Sequence, residues 1–110
     1  MMKPAVPIVA LVAIGLLLLV VYPPTVAGGW ICHPETDQNA YTRKKIDCNK
    51  FPGAASVSGC QALCDNDSKC YGIVYADINW PKGKFCCFLK SKIDPSKWQN
   101  QVGRTLCEYE

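Results

Sequence analysis

The sequence predicts an α+β fold, a small disulfide-rich domain in which one short helix packs on an antiparallel sheet. Three observations carry that prediction. All eight cysteines lie beyond position 27. A helix signal over residues 58–66 sets two of these cysteines one turn apart, and two short runs of strand-forming residues follow it, both bearing cysteine.

The N-terminal stretch, from Met1 to Ala27, differs in kind from the rest. It holds 20 of the 54 apolar residues and a single charge, Lys3. From Ala5 to Tyr22 the chain is uncharged, and Pro23-Pro24 with the small residues Thr25 to Gly29 follow. A basic start, an apolar stretch and small residues after a helix breaker are the layout of a secretory signal, with cleavage expected after Ala27. An uncleaved signal-anchor is the alternative, because the Ala5–Tyr22 stretch reaches the lower limit of length for spanning a bilayer. Contact with a membrane is expected only in that case. Either way the domain, residues 28–110, is expected in an oxidising, extracellular space.

That compartment sets the chemistry of the cysteines. Eight in so short a domain read as a disulfide framework. The chain has one histidine, His33, and no Cys-x-x-Cys, so no metal site and no cofactor is expected. Only 26 apolar side chains other than cysteine remain in the domain. A core of that size supplies only about 3–5 kcal/mol, and crosslinks must do the rest.

Taken in order, Ser58 with Gln61 fits a capping box that opens the helix. Cys60 and Cys64, at i and i+4, then share a face with Leu63 beside them, and the helix is expected to end near Asn66. Cys70-Tyr71-Gly72-Ile73-Val74-Tyr75 forms the first strand run and Lys84 to Lys90 the second, with a breaker-rich loop over 77–83 between them. The two runs are expected to pair as a long-looped hairpin with the helix across one face. Neighbouring strand residues point to opposite faces, so Cys86 and Cys87 need different partners. With Phe85, Cys87 and Leu89 on the helix side, Cys60–Cys87 is the natural bridge, and Cys64 and Cys70 lie close enough for a local one. Cys32, Cys48, Cys86 and Cys107 remain, and eight cysteines allow 105 connectivities.

Cys60-x-x-x-Cys64, then Cys70-Tyr71-Gly72-Ile73-Val74-Tyr75, then Cys87-Phe88-Leu89-Lys90, resembles the core of the PAN/apple superfamily. That pattern is a helix with Cys-x-x-x-Cys, a strand of the type Cys-x-x-Phe-x-Tyr, and a strand of the type Cys-x-Leu-Lys. Here Ile73 stands at the aromatic position and Tyr75 keeps the tyrosine. The resemblance implies Cys60–Cys87 and Cys64–Cys70, in agreement with the ranking above. It also implies a bridge joining the two ends of the module, a role that suits Cys32 and Cys107. The pair Cys48 and Cys86, and the long loop between Cys70 and Cys86, depart from the pattern.

Function is narrowed first by what is excluded. A domain charge of +2 is too weak to argue for nucleic acid, and the length rules out a Rossmann or barrel enzyme. His33 adjoins a cysteine and precedes Pro34, so no nucleophile–base pair is evident, and Asp65 and Asp67 sit in a polar turn. An enzyme is not expected. PAN/apple modules are adhesive, and the resemblance implies a partner that is an extracellular protein or an acidic glycan. Two basic sets offer a surface: Arg43, Lys44 and Lys45 with Lys50, and Lys82, Lys84, Lys90 and Lys92 around the hairpin. Lys90 and Lys92 are expected to project together from an extended run. Trp80, at the centre of the long loop, is a second candidate contact. Trp30, Trp98 and Tyr75 are expected to pack. Asn66 heads the one glycosylation sequon, Asn66-Asp67-Ser68.

The chain therefore reads as a secreted, non-catalytic binding module for a protein or acidic glycan. The competing readings are a secreted cysteine-rich effector of toxin or antimicrobial type, which is usually shorter and more basic, and a small protease inhibitor, which needs one rigid exposed loop.

Overall fold

The computed structural model describes residues 29–77 and 84–110. The leader, Gly28, Trp80 and Lys82 lie outside the described residues. Five strands and one helix follow in the order β1 (Trp30–Gln38), β2 (Thr42–Ile46), α1 (Val57–Asp65), β3 (Gly72–Ala76), β4 (Cys87–Lys90) and β5 (Trp98–Tyr109), with short 3-10 turns at Pro52–Ala54 and Pro95–Lys97. The strands form one antiparallel sheet in the order β1-β5-β3-β4-β2.

The expected hairpin is present, with Ile73 opposite Leu89 and Val74 opposite Phe88, but its second strand begins only at Cys87, and Phe85, expected on the helix side, is exposed ahead of it. β3 is buried at every position, although its two faces differ. Ile73, Tyr75, Cys87, Leu89, Cys107 and Tyr109 belong to the core under α1, together with Cys60 and Cys64. Val74 and Leu106 lie on the other face, where Ile93, Phe88 and Trp98 cover them. A strand covered on both sides reads as a continuous apolar run rather than an alternating one, as Gly-Ile-Val-Tyr-Ala does.

β1 and β2 are the sheet edges, and their sequences suit that position. Pro34 interrupts β1, where an edge tolerates a residue without an N–H. The basic run of β2, Arg43-Lys44-Lys45, guards the other edge against pairing with a further chain. Between Pro34 and Thr36 the β1–β5 register jumps from Thr105 to Asn100. Glu35 takes a positive φ of 54° there, and its carboxylate accepts the Gly103 N–H at 3.0 Å. This bulge lets the distal part of the β1–β5 ribbon bend, so that Trp98 reaches the Val74–Leu106 cluster. It also stacks near His33, with 4.6 Å between ring centroids.

The helix start differs from the expectation. Its N-cap is Ser56, whose hydroxyl accepts the Gly59 N–H at 2.9 Å. Gln61 instead directs its amide to Cys32 Sγ, so no capping box forms. Gly59 explains the earlier start: an added Cβ would stand 2.0 Å from Gly53 O, so the first turn packs directly on the preceding 3-10 backbone. Asn66 is the C-cap, as expected. Leu63, expected beside the two cysteines, is instead 38% exposed, because the helix buries only Cys60 and Cys64.

Four disulfides tie these layers: Cys60–Cys87, Cys64–Cys70, Cys32–Cys107 and Cys48–Cys86. The first fixes α1 to β4 and the second closes the helix-to-β3 turn. The third clamps β1 to β5 next to the ends of the domain. The last anchors the segment between β2 and α1 to the residue just before β4, so Cys86 and Cys87 do serve different partners. Among the described residues, no helix is long and apolar enough to cross a membrane.

Candidate functional site

The face of the sheet opposite α1 carries a cleft of about 210 Å³, lined by Asp37, Asn39, Thr42, Lys45, Phe88, Lys90 and Arg104. That is below the roughly 300–1,000 Å³ of sites for drug-sized ligands and above the roughly 150 Å³ that admits benzene, a size suited to a single ring.

The period of the strands assembles it. Phe88 and Lys90 alternate with Cys87 and Leu89 and so face away from the helix. β2 lies beside β4 with Lys45 opposite Phe88 and Thr42 opposite Lys90. Arg104 comes from β5 just after the Gly103 bulge, opposite Ala76. Asp37 and Asn39 come from the end of β1 and the crossing that leads to β2.

Lys90 is the unusual member. Only 2% of it is exposed, its Nζ donates to Thr42 Oγ1 at 2.7 Å, and the ammonium lies 5.8 Å from the Phe88 ring centroid. Burial lowers its pKa from 10.5 to about 8; Asp37 opposes the shift and Lys45 adds to it. The expected exposed pair of Lys90 and Lys92 is therefore not formed. β4 ends at Lys90 and the chain bends at Ser91. Lys90 is covered by the segments that cross this face, while Lys92 is exposed, with its Nζ 5.2 Å from the Tyr41 ring centroid.

The other basic candidates divide as follows. Lys45 faces the cleft and also the Phe85 ring, at 5.6 Å. Arg43 is engaged by Asp67 at 2.7 Å, and that contact raises the pKa of Arg43 and lowers that of Asp67. Lys44 and Lys84 are exposed outside the cleft. Asn66 is exposed at the helix end. The two basic sets of the sequence thus meet through one member each, Lys45 and Lys90, because β2 pairs with β4.

Sequence reading missed Arg104, Asp37, Asn39, Thr42 and Phe88. A strand signal for β5 would have found Arg104, but Gln99-Asn100-Gln101 hides it. Asp65 and Asp67, placed by the sequence in a polar turn, are exposed and half-buried there and each has a partner: Arg43 engages Asp67, and Tyr109 donates its hydroxyl to Asp65. Burial, and then that hydrogen bond, push the Tyr109 phenol well above its usual range. His33 pairs with Glu108 at 2.7 Å. Trp30 packs on Tyr109, with 4.0 Å between ring centroids. Among the described residues, no cluster of His, Cys, Asp and Glu is arranged to hold a metal.

Three basic side chains against one carboxylate, with an aromatic ring, an amide and a hydroxyl beside them, give the cleft a net positive lining with both polar and apolar contacts. No protein-family model, characterised protein or solved structure matches the chain.

Proposed function

We propose that the chain is a secreted, non-catalytic binding module of PAN/apple type that recognises an acidic glycan through the cleft over Phe88. The observation that carries this reading is the convergence of Lys45, Lys90 and Arg104 from three strands onto one small cleft. A carboxylated or sulfated sugar offers what these groups lack: negative charge for the cations, a ring face for Phe88, and hydroxyls for Asn39 and Thr42. Secretion is supported by the leader layout and by four disulfides in so short a domain. The PAN/apple reading is supported by the Cys60–Cys87, Cys64–Cys70 and Cys32–Cys107 pairs.

Titration with a heparin-derived oligosaccharide tests the reading. Binding should weaken with salt, and Lys45→Ala and Arg104→Ala should each reduce affinity by about tenfold or more, the loss of one charge-assisted contact apiece. Lys44→Ala with Lys50→Ala, outside the cleft, should leave affinity nearly unchanged. The reverse ranking would refute the cleft as the site.

A further inference from the structure

We infer that Lys90 is a carbonyl-capturing lysine, whose amine, held in the cleft between Thr42 and the Phe88 ring, forms an imine with a small anionic aldehyde docked on Arg104 and Lys45. The inference uses the same cleft as the proposed function but does not depend on a glycan being its ligand.

The geometry supplies what such a reaction needs. A buried amine flanked by a second cation is the setting that activates lysines toward carbonyl compounds, because both desolvation and like charge favour the neutral, nucleophilic form. Lys90 has both: it is almost wholly buried and Lys45 shares its cleft. The charged groups around it are Asp37 from β1, Lys45 from β2 and Arg104 from β5. Across Gly72, in the same cross-strand row, Glu108 is taken up by His33. With a pKa of about 8, roughly one Lys90 in five is neutral at pH 7.4, against about one in a thousand for a solvated lysine. Thr42 Oγ1 fixes the nitrogen, and Arg104 and Lys45 provide the charge that an anionic aldehyde needs to enter.

The step balances without an oxidant or a reductant. The Lys90 Nζ lone pair forms a bond to the aldehyde carbon, and the carbonyl π pair moves to oxygen. Both amine hydrogens then leave with that oxygen as water, and the C=N bond replaces C=O. Forming a neutral imine also removes the charge that burial disfavours.

Glyoxylate with sodium cyanoborohydride at pH 7.4 tests this on the native, disulfide-bonded chain, because reduction of the imine leaves a carboxymethyl group that peptide mass spectrometry locates. Lys90 should be labelled about tenfold faster or more than the exposed Lys44, Lys50, Lys69 and Lys92. Arg104→Gln should slow Lys90 labelling by glyoxylate and leave its labelling by neutral glycolaldehyde unchanged. In the reduced, denatured chain the preference should vanish. Labelling of Lys90 no faster than Lys50 or Lys92 in the native chain overturns the inference. Oligosaccharide binding measured on the same sample separates the two readings: binding without selective labelling removes carbonyl capture alone, and selective labelling without binding removes only the glycan.

Discussion

Gln38 is fully buried, and its side-chain amide makes four hydrogen bonds. Nε2 donates to Ala40 O at 3.0 Å and to Lys92 O at 2.8 Å, while Oε1 accepts from Asp94 N at 2.8 Å and Trp98 Nε1 at 3.2 Å. These bonds pin the 92–98 segment over Val74, Leu106 and Phe88. Gln38→Leu keeps nearly the same volume, so no large cavity opens, but all four partners lose their bond. At about 0.5–1.5 kcal/mol each, the net loss is roughly 2–6 kcal/mol. Lys92 and Asp94 lie near solvent and can recruit water, which brings the expectation to about 3 kcal/mol. For a domain of this size that lowers Tm by roughly 12–24 °C. Urea unfolding measures the loss, and hydrogen exchange at the Asp94 amide reports whether the segment has come loose. A loss under about 1 kcal/mol with unchanged exchange at Asp94 would refute the view that Gln38 holds this layer.

Other outcomes follow from the same structure. Folded Lys90 releases its proton near pH 8 and an unfolded lysine near 10.5, so between those values the unfolded chain binds more protons and stability rises with pH. Relative to Lys90→Met, the native chain should gain about 2 kcal/mol across that window, a figure reduced for water in the cleft; parallel urea midpoints of the two proteins would contradict it. Cys32→Ser with Cys107→Ser opens a loop with a separation of 75 and should cost about 4 kcal/mol, against about 2 kcal/mol for Cys64→Ser with Cys70→Ser at a separation of 6. Guanidinium unfolding gives the order, and equal losses would contradict the chain-entropy argument. Gly59→Ala gains up to about 1 kcal/mol in helix propensity, but its Cβ meets Gly53 O, so a net loss of about 1–2 kcal/mol is expected. A gain in Tm would show that the contact yields freely.

The elements legible in the sequence were those whose signals are local. Cys60, Cys64, Cys70 and Cys87 sit on a helix and two strands that their own residues specify, so one ranking of pairs could be made from spacing. β1, β2 and β5 escaped because each carries a local contradiction. Pro34 breaks β1, β2 is mostly charge, and β5 opens with three polar residues soon after Trp98 and before its bulge. Their strand character comes from pairing, which no window of sequence contains. The same gap explains Lys90. Its alternation with Leu89 was readable, but alternation only says that Lys90 points away from the helix. That the outward face is itself covered depends on Gln38 drawing a segment more than fifty residues away across it. The cleft needed that long-range contact, and its residues carry no shared motif.

The two ends of the described domain lie side by side: Glu110 donates its N–H to Gly29 O, and Gly29 N–H is accepted by the Glu110 carboxylate, both at 3.0 Å. Cys32–Cys107 lies three residues inside each end. Tension applied between Gly29 and Glu110 would therefore peel only these short flanks before a covalent bond took the load. The sheet and the cleft would feel almost none of it, so a load carried along the chain from one end of the domain to the other would pass the site by without drawing it out of shape.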